Sequence, residues 1–120
     1  MRSDSIYHIC SRDEWEQGKA AGRYVGSSQD IADGYIHCSG PQQLAASAAK
    51  HRAGQDGLLL VALDPGLLGA ALRWEPARGG QLFPHIYGPM AFDAVIAVTD
   101  LPLGADGKHI FPPHIPPALD

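Results

Sequence analysis

Short apolar blocks separated by turn residues run along the chain, and their period shifts between that of a strand and that of a helix. Residues 6–10 are β-prone and follow a polar start, which predicts a first strand. Ser11 then offers an N-cap, with Glu14 three positions on to complete a capping box. Asp13, Glu14 and Glu16 place negative charge in the first turn, where the helix dipole favours it. The predicted helix covers Arg12–Ala21, takes Trp15 as its core anchor and stops at Gly22.

Residues 23–28 predict a second short strand, and Asp33-Gly34 a turn into a third at Tyr35-Ile36-His37-Cys38. Ser39-Gly40-Pro41 breaks that strand and opens a helix over residues 44–52, which ends at Gly54. Leu58–Leu63 is an unbroken apolar run followed by Asp64-Pro65-Gly66, the mark of a buried central strand. Residues 65–68 predict one helical turn, 71–75 a strand and 78–80 a turn. Residues 83–87 predict a strand that Pro84 and Pro89 confine to an edge or an irregular path. The last strand falls in residues 92–98, with Val95, Ile96 and Val98. Two helices and six or seven short strands predict an α+β domain on a bent or split, mainly antiparallel sheet. The domain occupies residues 1–103. Pro112, Pro113, Pro116 and Pro117 lie close to the end, so residues 104–120 predict a Pro-rich extended tail.

A length of 120 residues fits one domain, and 45% hydrophobic with 18% charged residues makes it globular. The formal charge of −4, with no basic stripe, argues against a nucleic-acid surface. No apolar run approaches the roughly 20 residues that cross a bilayer. Cys10 and Cys38 form no CxxC pair and are too few for a disulfide framework, which predicts a reduced, cytoplasmic setting.

Three segments carry candidate chemistry: Tyr7-His8-Ile9-Cys10-Ser11, Gly34-Tyr35-Ile36-His37-Cys38-Ser39 and Phe83-Pro84-His85-Ile86-Tyr87-Gly88-Pro89. Each sets a His beside an aromatic residue in a β-prone stretch. Alternation puts His8 with Cys10 on one face, His37 with Tyr35 and Ser39 on another, and His85 with Phe83 and Tyr87 on a third. If these faces meet, they line a cleft of imidazole, hydroxyl and aromatic groups suited to a planar or sugar-phosphate ligand. The plain alternative is that each His serves packing alone. His51, His109 and His114 read as solvated. A metal site on His8, Cys10, His37, Cys38 and His85 has the ligand types but none of the zinc spacings. His37 and Cys38 point apart, so that pair does not read as a nucleophile and its base. Glu75 is the one Glu near the expected cleft, while Asp33, Asp64 and Asp93 read as turn residues. Paired carboxylates and phosphate-binding glycine loops are missing from the sequence.

These segments together, with Trp15, Gln43, the run from Leu60 to Asp64, Arg73-Trp74-Glu75 and Asp93-Ala94-Val95, resemble an uncharacterised bacterial family, domain of unknown function 952. The resemblance spans about residues 6–100. More distantly the chain is similar to the ADP-ribosyltransferase superfamily, which implies a split-sheet cleft that binds NAD. In that likeness Tyr7-His8 matches the first-motif position, whose His holds a ribose, and Tyr35 to Ser39 the second-motif strand. His85 or Tyr87 matches the third position, where the usual catalytic Glu is missing. An RNA 2′-phosphotransferase branch of that superfamily works without the Glu. The resemblance therefore implies catalytic roles for His8, His37 and His85 on NAD or an ADP-ribose or phosphate ligand. Tyr7, Tyr35, Ser39, Glu75 and Tyr87 would bind the ligand, with Arg23 or Arg73 supplying charge. A non-catalytic small-ligand-binding protein and a structural protein using its Pro-rich tail remain the alternatives.

Overall fold

A computed structural model describes residues 5–115. In chain order it contains β1 (Ile6–Ser11), α1 (Arg12–Ala21), α2 (Ser28–Asp33), β2 (Ile36–His37), α3 (Leu44–His51), β3 (Leu58–Leu63), β4 (Leu72–Pro76), β5 (Leu82–Ile86) and β6 (Val95–Leu101). The strands form two antiparallel three-stranded sheets, ordered β1-β3-β6 and β2-β5-β4. This is the expected α+β architecture on a split sheet, with one more helix than the sequence predicts.

Among the described residues the sheets meet at one bridge. The Tyr7 N–H donates to the Ser39 carbonyl and the Ser39 N–H to that of Tyr7, both at 2.8 Å. One residue further along β1 the backbones separate, and the cleft opens there. β3 lies at the centre of the first sheet, and its unbroken apolar run follows from burial on both faces. Leu59, Val61 and Leu63 join a cluster with Ile6, Trp15, Tyr24, Ile36 and Ile86. Leu58 and Leu60 join a second cluster with Tyr7, Leu44 and Leu101. α1 begins as expected: the Ser11 hydroxyl accepts from the Glu14 N–H, and Gly22 closes the helix at φ 75.

Three elements differ from the sequence expectation. Residues 23–28 hold no strand: Ser27 caps α2 instead. Its hydroxyl accepts from the Asp30 N–H while the Asp30 carboxylate accepts from the Ser27 N–H, which makes helix the better local solution. β5 is central rather than an edge strand, despite Pro84. The Pro84 carbonyl accepts from the Cys38 N–H at 3.1 Å, but a proline has no N–H to return the bond. Ladder pairing with β2 therefore ends at His37↔His85, and the proline is tolerated because its neighbour is only two residues long. The last strand starts later than expected, because Phe92–Ala94 form a 3₁₀ turn ahead of β6.

Residues 104–115 of the Pro-rich stretch turn back onto the first sheet, and Pro116 and Pro117 lie outside the described residues. Leu103 bridges to His109, and Ile115 is buried in the second apolar cluster. Among the described residues no helix is long and apolar enough to cross a membrane.

Candidate functional site

The pleat of the second sheet assembles most of the site. His37 and His85 face each other across β2 and β5, and Arg73 pairs with His85 across β4 and β5. Side chains two apart share a face, so Glu75 and Phe83 join the same surface. Tyr35 and Tyr87 lie just beyond the strand ends and extend it. The Tyr35 ring stacks on His85 at 4.1 Å between centroids, tilted by 27°. It also contacts His37 at 4.6 Å and Tyr87 at 5.4 Å. Glu75 Oε1 accepts from His85 Nδ1 and from the Tyr87 hydroxyl, each at 2.8 Å. A carboxylate only accepts, so Nδ1 of His85 carries the proton, and its Nε2 has no partner among the described residues. The bonds from His85 and then Tyr87 hold the Glu75 carboxyl below its ordinary pKa, and the same bond raises that of Tyr87. The Arg73 guanidinium lies over the Tyr87 ring at 4.8 Å.

A second group of residues closes the split. His37 pairs with His85 at a non-hydrogen-bonded position, so its backbone N–H and C=O point away from β5. Side chains take both: the Asp30 carboxylate accepts from the N–H at 3.1 Å, and His8 Nδ1 donates to the carbonyl at 2.7 Å. His8 thus continues the ladder where β1 and β2 part. It is 2% exposed, and its Nε2 lies 2.6 Å from the Tyr24 hydroxyl. Burial lowers its pKa, with Asp30 opposing. Neutral, with the proton on Nδ1, His8 accepts from Tyr24 at Nε2. Expected to present its ring to a ligand, His8 instead forms the floor of the cleft, with both nitrogens engaged by protein.

His37 differs. Its side chain is 41% exposed, and both ring nitrogens face carboxylates: Nδ1 at 2.5 Å from Asp30 and Nε2 at 3.1 Å from Asp33. The Asp30 hydrogen bond raises its pKa above the ordinary value against the effect of burial. Burial pushes the Asp30 carboxyl up, but the hydrogen bonds from the His37 ring, the Ser27 N–H and the His37 N–H outweigh it and hold it low. His37 is therefore clamped between two carboxylates that favour its charged form.

A cleft of about 700 Å³ runs between these residues and α3, within the range of small-molecule sites. Its walls include Asp30, Tyr35, His37 and His85, with Ser47, His51 and Arg52 from the α3 side. Of the other expected binding residues, Ser39 lines the cleft but spends its backbone on the Tyr7 bridge. Tyr7 packs in the second apolar cluster, with its hydroxyl 3.3 Å from His114 Nε2. His114 and His109, expected as solvated, thus have protein neighbours; His109 Nε2 donates to the Gln55 carbonyl at 2.8 Å. Arg23 is absent from the cleft walls, and Glu75, Tyr87 and Arg73 stand behind His85 and Tyr35 rather than on those walls. Both cysteines point into the core, where burial pushes Cys10 up to about 11 and Cys38 well above its usual value. Among the described residues no cluster of three His, Cys, Asp or Glu is placed to hold a metal ion.

Three site residues escaped the sequence reading: Asp30, Tyr24 and Arg52. Only Asp30 carries a readable signal, the spacing Ser27-x-x-Asp30 followed by Gly34, which marks a capped short helix.

The profile of a family described as "Protein of unknown function (DUF952)" matches residues 9–98. Among solved structures, the chain is similar to the crystal structure of protein CC0527 from Caulobacter crescentus, a structural genomics target. The two are 46% identical with a TM-score of 0.84, over 88% of this chain and 93% of that one. The solution NMR structure of CC0527 matches at 47% identity and a TM-score of 0.77, over 87% and 90% of the two chains. No curated protein matches.

Proposed function

The chain belongs to the DUF952 family, and from that premise we propose that its cleft binds a nucleotide-type ligand, NAD or ADP-ribose, and acts on it through His85. The observation that carries this reading is the setting of the His85 ring. Glu75 accepts from its Nδ1, Tyr35 stacks on its face, and Nε2 has no partner among the described residues beside the cleft. A carboxylate-oriented imidazole with one free nitrogen is suited to take a proton from a hydroxyl and return it. The split sheet and the aromatic wall support a ligand with a planar base and a sugar.

In this reading Glu75 supplies, from β4, the carboxylate that the ADP-ribosyltransferase pattern carries on the later strand. Tyr35 gives stacking surface, and Tyr87 holds Glu75. His37, whose charged form the two carboxylates favour, faces a ribose hydroxyl or a phosphate. His8 and Asp30 are positioning residues that keep the His37 backbone in place.

Calorimetric titration of the purified chain with ADP-ribose and NAD tests the reading, with His85→Ala and Glu75→Gln alongside. Saturable binding by the wild type is expected. Glu75→Gln should keep the affinity within a few fold but lose turnover, because the amide no longer holds the same His85 tautomer. No heat with either nucleotide, or unchanged turnover in His85→Ala, would overturn it.

A further inference from the structure

The cations of this acidic chain are answered unequally. His37 is clamped by Asp30 and Asp33, Arg12 pairs with Asp100, and Arg73 lies over the Tyr87 ring whose hydroxyl binds Glu75. Arg52 stands apart. It follows the last turn of α3, is partly buried and lines the cleft. Among the described residues no carboxylate lies within ion-pair distance of it. Its two side-chain bonds go to neutral acceptors: Nη2 donates to the Ile9 carbonyl and Nη1 to Gln55 Oε1, each at 3.2 Å. A guanidinium has five N–H donors, so most of the fork is unspent while its position is fixed. Its charge reaches the floor of the split, where burial sets the pKa values of His8 and Cys10 and Arg52 adds to the lowering of the first and opposes the rise of the second. Ser47 and His51, one helical turn apart, line the same wall.

A partly buried cation without a carboxylate is costly unless something else answers it. From this we infer that Arg52 is an anion subsite, and that it takes a phosphate or pyrophosphate group of the ligand. The fork matches paired phosphate oxygens, and Ser47 adds a hydroxyl donor on the same wall. The ligand then lies with its anionic end on α3 and its planar part on Tyr35 and His85. The inference rests on the reading of the cleft as a ligand site and adds the class of group that enters it.

Sodium pyrophosphate is the probe that separates the two claims. It is titrated into isotope-labelled full chain, and amide resonances are followed together with the Arg52 Nε–H. Saturable shifts are expected at residues 8–10 and 51–55, with the Arg52 side-chain resonance moving at the same midpoint. Arg52→Gln should weaken binding by about tenfold or more, the effect of losing a charge-assisted bond. His85→Ala should bind pyrophosphate like the wild type. The Arg52 resonance is read in the wild type, so the test stands even where the variant folds poorly. Absence of saturable shifts, an unmoved Arg52 resonance, or equal affinity in a folded Arg52→Gln would overturn the inference. Arg52-dependent binding of pyrophosphate without binding of ADP-ribose would uphold the subsite and remove the nucleotide reading instead.

Discussion

The backbone of His37 accepts from the His8 ring while its own ring donates to Asp30. Two imidazoles thus serve one short strand, and they respond to pH in opposite senses. The His37 pKa is raised in the folded chain, so its contribution is complete below the unfolded value of about 6.5 and is lost as pH rises through the folded value. The His8 pKa is lowered by burial, so folding is penalised as pH falls below about 6.5 and the unfolded chain takes the proton. Denaturant unfolding between pH 5 and 9 should therefore give a wild-type maximum near neutrality. His37→Ala should remove the alkaline decline and keep the acid one; the reverse result would contradict these assignments. His8→Ala should be the costlier change. It takes the ring partner from the His37 carbonyl and from the buried Tyr24 hydroxyl, at about 3 kcal/mol, whereas His85→Ala should cost about 1 kcal/mol. Urea midpoints compare the two directly, and an equal loss would return His8 to an ordinary packing role. Strand alternation made two pairings legible in the sequence, Tyr35 with His37 and His85 with Tyr87, and left their meeting as a condition. It left the use of His8 hidden, because a ring that replaces a ladder bond is defined by a gap between sheets, which no local pattern records.

At the scale of the element, α2 matters more than its six residues suggest. It carries Asp30, whose carboxylate caps Ser27, holds the His37 backbone and bonds the His37 ring. The helix was missed because residues 23–28 are compatible with a strand, and the capping residue after Ser27 is Asp where Glu or Gln is the stronger mark. Asp33, read as a turn residue, ends α2 and clamps His37 from the other side. Ser27→Ala should cost about 1 kcal/mol, the usual loss of an N-cap. Gly26→Ala should cost more. Gly26 has φ 100, and an added Cβ would lie 2.5 Å from the Asp30 Cβ and 2.6 Å from its Oδ2, so the carboxylate has to move. The His37 pKa, followed by NMR titration of its ring protons, should then fall towards the ordinary value in Gly26→Ala and stay raised in Ser27→Ala. An unchanged His37 titration in Gly26→Ala would mean that Asp30 is not what holds the imidazolium.

At the scale of the molecule, two sheets that share a single bridge among the described residues must be held at their angle by whatever packs on either side. The first apolar cluster does this from one face, since it contains Ile6 and Cys10 of one sheet and Ile36 and Ile86 of the other. The second cluster backs the first sheet alone, and the chain after β6 supplies part of it: Ile115 is buried against the residues around Tyr7 and Leu44, with Phe111 packed beside them. Proline-rich composition predicts an extended course for this stretch, and nothing in its periodicity shows that two of its apolar side chains return to the core. Tyr7 links this packing to the cleft, because its backbone makes the bridge and its ring lies in the cluster that Ile115 completes. Ile115→Ala should therefore cost about 3 kcal/mol, the price of a buried cavity rather than of a surface change. Native-state hydrogen exchange locates the effect. If the segment braces the split, the Tyr7 and Ser39 amides should lose protection first, ahead of those in β3. Uniform loss across the first sheet would mean that Ile115 only adds to the core, and that the angle between the sheets is set by the first cluster and His8.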